Sequence, residues 1–159
     1  MIYITSVHDI GAGSGFDSTM RKRTRFTKHP TWGITELLHT TFRRLNKNDH
    51  VMFYYKGVII GVGVVRGTSV DQDLSAKLWG TYQHRFKGTL HWSCIIQFEE
   101  YFDITMPFDV LRDLGQYDAK FSIRRMVQLN STGVEAIERD FGGEAAYVSG
   151  LIETYGSKR

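Results

Sequence analysis

The chain has 159 residues, of which 42% are hydrophobic and 23% charged, with a formal charge of +3. That is the size and make-up of a single folded domain spanning 1–159, and it excludes a disordered tail, a collagen-like chain and a multidomain machine. With 2 prolines there is no proline-rich linker, and no apolar run approaches the roughly 18 residues of a membrane helix, so no membrane partner is expected. The opening Met1–Ser6 has no basic stretch ahead of an apolar one and does not read as a secretory signal. Cys94 is the single cysteine, too few for an internal disulfide or a multi-cysteine zinc site, which predicts a reducing, cytoplasmic setting.

In chain order, residues 1–8 read as a buried strand, with Ile2, Ile4 and Val7 apolar. The glycine-rich stretch Gly11–Gly15 reads as flexible. It lacks the Gly-Lys-Ser/Thr ending of a Walker loop and the third glycine of a dinucleotide fingerprint. Leu37, Leu38, Phe42 and Leu45 recur at helical spacing and predict a helix over 35–45, capped by Thr31 or Thr35. A turn at 46–49 leads to a strand over 51–55, a turn at Lys56–Gly57, and a β-branched strand over 58–65 carrying Gly61 and Gly63. Residues 67–88 read as a long polar loop holding Trp79, Tyr82 and Phe86. A strand over 91–98 is continued by or paired with 101–104. Pro107 suits the first position of a short helix ending near Leu114–Gly115. A turn around Ser122 and Arg124–Arg125 precedes a helix over 132–141, closed by Gly142–Gly143, and a last helix over 145–155. Most strands are joined by turns too short for a crossover helix. The expected fold is therefore α+β, a curved antiparallel or mixed sheet or partial barrel flanked by helices.

Charge is uneven. Residues 1–70 hold ten Lys/Arg and four Asp/Glu, a balance of +6, and residues 71–159 hold ten and thirteen, a balance of −3. The dense run Arg21, Lys22, Arg23, Arg25, Lys28, followed by Arg43, Arg44 and Lys47, is either a solvated loop or a surface for a phosphate backbone. Catalytic patterns are weak. Six histidines occur with no tight ligand spacing, Cys94 sits in an apolar strand, and Glu99, Glu100 and Asp103 read as solvated strand ends. No nucleophile elbow or triad is present. The expectation is a chain that is not an enzyme and carries no metal or cofactor.

Trp32 and Trp79 fall in predicted loops, Trp32 just after the basic run. Loop tryptophans either cover a core edge or stack on a base, at about 1–3 kcal/mol per stack. The order of segments around them resembles the EVE and YTH branch of the PUA-like superfamily. The resemblance is carried by Thr31-Trp32-Gly33 with the helix after it, by Asp49–Tyr55 with Val58–Val65, by Arg85-Phe86-Lys87-Gly88 through Trp92-Ser93-Cys94-Ile95, and by Ile104–Leu114 with Phe121–Arg125. It spans residues 1–141 and implies a curved, barrel-like sheet flanked by helices. It also implies a reader that holds a modified base in an aromatic cage, N6-methyladenine in RNA for YTH members and modified DNA bases in modification-dependent restriction systems. Carried over, Trp32 matches the first wall of the cage, and Trp79, with Tyr82 as a substitute, the second. Ser6 and Asp9 match the contacts to the base edge, and Arg124 or Arg125 the basic turn that touches phosphate. The chain departs from the family in reading Thr5-Ser6-Val7-His8 where a Lys-Ser pair is kept.

The resemblance thus implies a base flipped out of the strand, stacked between Trp32 and Trp79 or Tyr82, and checked by Ser6 and Asp9. Arg21, Lys22, Arg23, Arg25, Arg43, Arg85, Lys87, Arg124 and Arg125 would hold the backbone. The expected target is methylated adenine or modified cytosine in DNA, with a nuclease or motor domain or subunit as a further partner. The alternatives are an RNA-binding PUA-like module, reading N6-methyladenine or unmodified RNA, and a small-ligand or nucleotide-processing enzyme on the same barrel.

Overall fold

A computed structural model describes residues 1–22 and 24–157. Its strands are β1 (Ile2–Ser6), β2 (Thr31–Ile34), β3 (His50–Tyr55), β4 (Val58–Val70), β5 (Thr81–His84), β6 (Gly88–His91), β7 (Cys94–Pro107) and β8 (Val127–Gln128). The α-helices are α1 (His39–Phe42), α2 (Gln72–Trp79), α3 (Asp109–Leu114), α4 (Ser131–Phe141) and α5 (Glu144–Tyr155). The architecture is mixed α+β. Six strands form one sheet in the order β2-β7-β4-β3-β1-β8, and β5–β6 is a separate two-stranded ribbon. β1 and β3 are parallel, from Ile2 opposite His50 to Ser6 opposite Tyr54, while β1–β8 and β2–β7 are antiparallel.

The chain forms two compact units, and β4 and β7 are long enough to contribute to both. The first unit comprises residues 1–8, 49–63 and 102–159. Its core is built by Ile2 and Ile4 of β1, Met52 of β3, Ile59 and Val62 of β4, and Ile104 and Met106 of β7. Phe108, Leu111, Ile137, Tyr147, Val148 and Leu151 close over it from the helical segments. The turn between β3 and β4 places Lys56 at φ 46° and Gly57 at φ 82°, the left-handed pair that matches the twist of a tight hairpin. Asn130 caps α4 by accepting from the Gly133 N–H at 2.9 Å, and its amide also donates to the Gly115 carbonyl at 2.8 Å. Gly142, left-handed at φ 79°, ends α4 as the glycine pair predicts. The Met1 ammonium meets Asp49 at 2.9 Å and Glu144 at 2.8 Å, and Glu144 also meets His50 at 2.6 Å.

The second unit comprises residues 9–48 and 64–101. Phe16, Ile34, Phe42, Leu45, Ile95, Ile96 and Phe98 are buried in it. Here the fold departs most from the sequence pattern. The helix expected over 35–45 is a 3₁₀ turn, Glu36–Leu38, followed by the single α-turn α1. Thr35 makes no side-chain cap, and the β-branched pair Thr40–Thr41 disfavours a longer helix. Residues 67–88 are not a loop. β4 runs on to Val70, α2 follows with Asp71 accepting from the Leu74 N–H at 2.9 Å, and β5 begins at Thr81. The strand pieces over 91–98 and 101–104 belong to β6 and to one 14-residue strand, β7. Pro107 ends β7, where its missing N–H breaks the ladder, and α3 starts after Phe108. The glycine-rich stretch turns at Gly11–Ser14 and enters a π-helical turn over Asp17–Arg21.

Candidate nucleic-acid interface

Trp32 lies in strand β2, opposite Ile96 of β7, and Trp79 is the last residue of α2; neither is in a loop. Both are half-buried. They meet because the backbone between them carries no side chain. A Cβ on Gly33 would lie 2.5 Å from Cζ3 of Trp79 and 2.6 Å from the Trp92 carbonyl oxygen, and one on Gly15 would lie 2.9 Å from Cδ1 of Trp79. The two indoles pack edge to face, with centroids 6.0 Å apart and planes at 74°. They therefore form a corner, and no parallel slot separates them. Phe16 is buried against this corner, 5.3 Å from Trp32 and 5.8 Å from Tyr101, both edge to face. The indole N–H of Trp79 is buried without an acceptor among the described residues.

Tyr82 contacts a third tryptophan, Trp92, whose Cβ would lie 2.9 Å from a Cβ on Gly33. Tyr82 is in β5 and packs on Trp92 at 5.1 Å, with planes at 34°. Ser6 is the last residue of β1 in the first unit, opposite Tyr54, whereas Asp9 opens the second unit and accepts from the Gly11 N–H at 3.1 Å.

The second unit holds twelve Lys/Arg against seven Asp/Glu, a formal +5, and the first holds eight against ten, −2. The positive charge and the tryptophan corner thus belong to the same unit. Arg21, Lys22, Arg25, Arg43, Arg85 and Lys87 are exposed there. Arg21 donates to the Ile10 carbonyl at 3.1 Å and lies over the Phe16 ring. Lys22 pairs with Asp17 at 3.1 Å, and this bond holds the Asp17 carboxyl below its usual range. Arg23 lies outside the described residues. Arg124 and Arg125 are exposed in a bend of the first unit.

Two aromatic–cation groups escaped the sequence reading of the site. Arg25 and Lys77 both lie over the ring of Phe26, which is 41% exposed. Arg85 lies over Phe86, which is 82% exposed at the tip of the β5–β6 hairpin. The adjacency of Arg25 to Phe26, and of Arg85 and Lys87 to Phe86, is visible in the sequence; the approach of Lys77 needs α2.

Cys94 is buried, and its thiol is pushed up to about 11, first by burial and then by the charge of Glu36. It stays protonated and a poor nucleophile near neutral pH. Glu99 pairs with Arg66 at 2.7 Å, which holds its carboxyl down. Among the described residues no group of three or more His, Cys, Asp or Glu is placed to hold a metal, and no helix is long and apolar enough to cross a membrane. No family model and no curated protein matches the chain.

Proposed function

We propose that this chain is a non-catalytic nucleic-acid-binding domain that receives a flipped, modified base, methylated adenine or modified cytosine, at the Trp32–Trp79 corner. DNA is the polymer, and any cutting or translocation resides in another domain or subunit. The observation that carries the reading is the edge-to-face tryptophan pair, half-buried within the unit that bears the formal +5.

A corner works differently from a sandwich. The base stacks on the face of one indole, and the other indole stands across its edge. A methyl group on that edge fills the angle between the rings and gains dispersion contact that an unmodified base does not. One methyl group buried in this way is worth about 0.8 kcal/mol, so selectivity beyond a few-fold requires close contact with both rings. The exposed cations of the same unit attract the phosphate backbone through counterion release and hold it while one nucleotide leaves the stack. Cytoplasmic residence follows from this reading and from the single buried thiol.

The test is fluorescence anisotropy on labelled oligonucleotides. The panel is DNA and RNA, single and double stranded, with adenine, cytosine, N6-methyladenine, 5-methylcytosine or 5-hydroxymethylcytosine at one position. The expected result is a preference of about tenfold, or 1.4 kcal/mol, for one modified base in DNA, abolished by Trp32→Ala and by Trp79→Ala. Equal binding of all probes, unaltered by either substitution, would leave only a general basic surface. Preference for RNA would move the reading to the RNA module.

A further inference from the structure

The hairpin β5–β6 is set apart from the six-stranded sheet and has a built-in asymmetry. Its inner face is anchored. Leu90 is buried, Tyr82 is opposite Leu90, and Tyr82 packs on Trp92. Its outer face is polar, with Gln83 donating across the ribbon to Thr89 at 2.7 Å. The ladder runs to His84 opposite Gly88, leaving Arg85, Phe86 and Lys87 as the loop. Gly88 at φ 75° closes it. The result is a ribbon with one large apolar ring in its loop, 82% exposed, between two exposed cations in the chain.

A phenyl ring 82% exposed in the loop of a ribbon lies outside the buried core. We infer that Phe86 is a wedge that enters a base step of duplex DNA, with Arg85 and Lys87 on the flanking phosphates. This rests on the nucleic-acid reading above and gives it a way to open the stack. The partner chemistry follows from the three residues. A planar apolar ring matches the gap between unstacked bases, and cations on both sides match the phosphates that border it. The ribbon also fits sterically, because two strands about 4.8 Å apart enter a major groove about 12 Å wide. Arg85, which lies over the ring in the free protein, would exchange that contact for phosphate as the ring enters.

The probes are a DNA duplex with 2-aminopurine beside one N6-methyladenine, and its methylated strand alone. Wild type is compared with Phe86→Ala and Phe86→Leu. A wedge is needed only when there is a stack to open. Phe86→Ala is therefore expected to weaken duplex binding about tenfold, to abolish the 2-aminopurine fluorescence rise, and to leave single-strand binding within about twofold. Phe86→Leu, still apolar, is expected to restore most of both duplex signals. Unchanged duplex affinity and fluorescence in Phe86→Ala would overturn the wedge and leave the base-reading proposal standing. Equal weakening on both probes would also overturn it, making Phe86 a general stacking contact. If wild type bound neither probe, and nothing in the wider panel, the nucleic-acid reading would fall and take the wedge with it.

Discussion

Gly33 is where one methyl group decides the site. An added Cβ would meet both the Trp79 ring and a main-chain oxygen, and the latter has no rotamer into which to retreat. Gly33→Ala is expected to destabilise the protein by about 1–3 kcal/mol and to shift its tryptophan fluorescence, measured by urea unfolding. Gly67→Ala, with nothing within 4 Å of the new Cβ, is the control and is expected to leave the midpoint unchanged or slightly raised. Glu144 carries a pH signature. Burial alone would raise its pKa, but hydrogen bonds from His50 and the Met1 ammonium prevail and hold it below the usual 4.5. A depressed folded-state pKa means stability that is present above about pH 4.5 and lost as pH falls through the lower folded value. Glu144→Gln is expected to be less stable than wild type at neutral pH and to lose less on acidification, read as thermal midpoints across pH. Trp32, Trp79 and the cations beside Phe86 were legible as candidates in the sequence. Their neighbours were not, since Phe16 reaches Trp32, and Tyr101 reaches Phe16, only through folding.

At the scale of elements, α2 shows why the segment after β4 was misread. Its buried face is slight, with Ser75 buried and Leu74, Leu78 and Trp79 only half-buried, so periodicity carries little signal. The Asp71 cap and the position at the edge of the tryptophan corner make it a helix. Asp71→Ala is expected to cost about 1 kcal/mol in unfolding free energy. It is also expected to weaken modified-base binding, because Trp79 hangs from the far end of the helix it would loosen. The end of β4 is hidden in the same way. Arg66, Thr68, Ser69 and Val70 are exposed, and what makes them strand is pairing, which leaves no apolar alternation. By contrast β1, β3, α4 and α5 bury regular apolar stripes and end at turn or glycine signals, and all were readable.

On the scale of the whole molecule, the +5 of the second unit comes from residues 9–48, since residues 64–101 add four Lys/Arg and four Asp/Glu. Binding to DNA is therefore expected to weaken linearly in log affinity against log salt, with a slope of about −0.9 for each phosphate neutralised. Arg25→Ala and Arg85→Ala are each expected to reduce that slope by about 0.9, measured by salt titration of anisotropy. A slope unchanged in both would remove these cations from the interface. The sequence by itself determined the α+β class, a sheet that is antiparallel or mixed, the tight β3–β4 turn, the closing helices, and an inventory with much aromatic and basic chemistry. Those properties rest on neighbours a few residues apart, where periodicity and turn chemistry act. Only the tertiary structure decided that Trp32 and Trp79 meet as a corner, that Tyr82 packs on Trp92, and that Phe86 stands at the tip of a ribbon. Those depend on which distant strands pair and on where glycine leaves room for an indole, and neither is encoded in any short window of the chain.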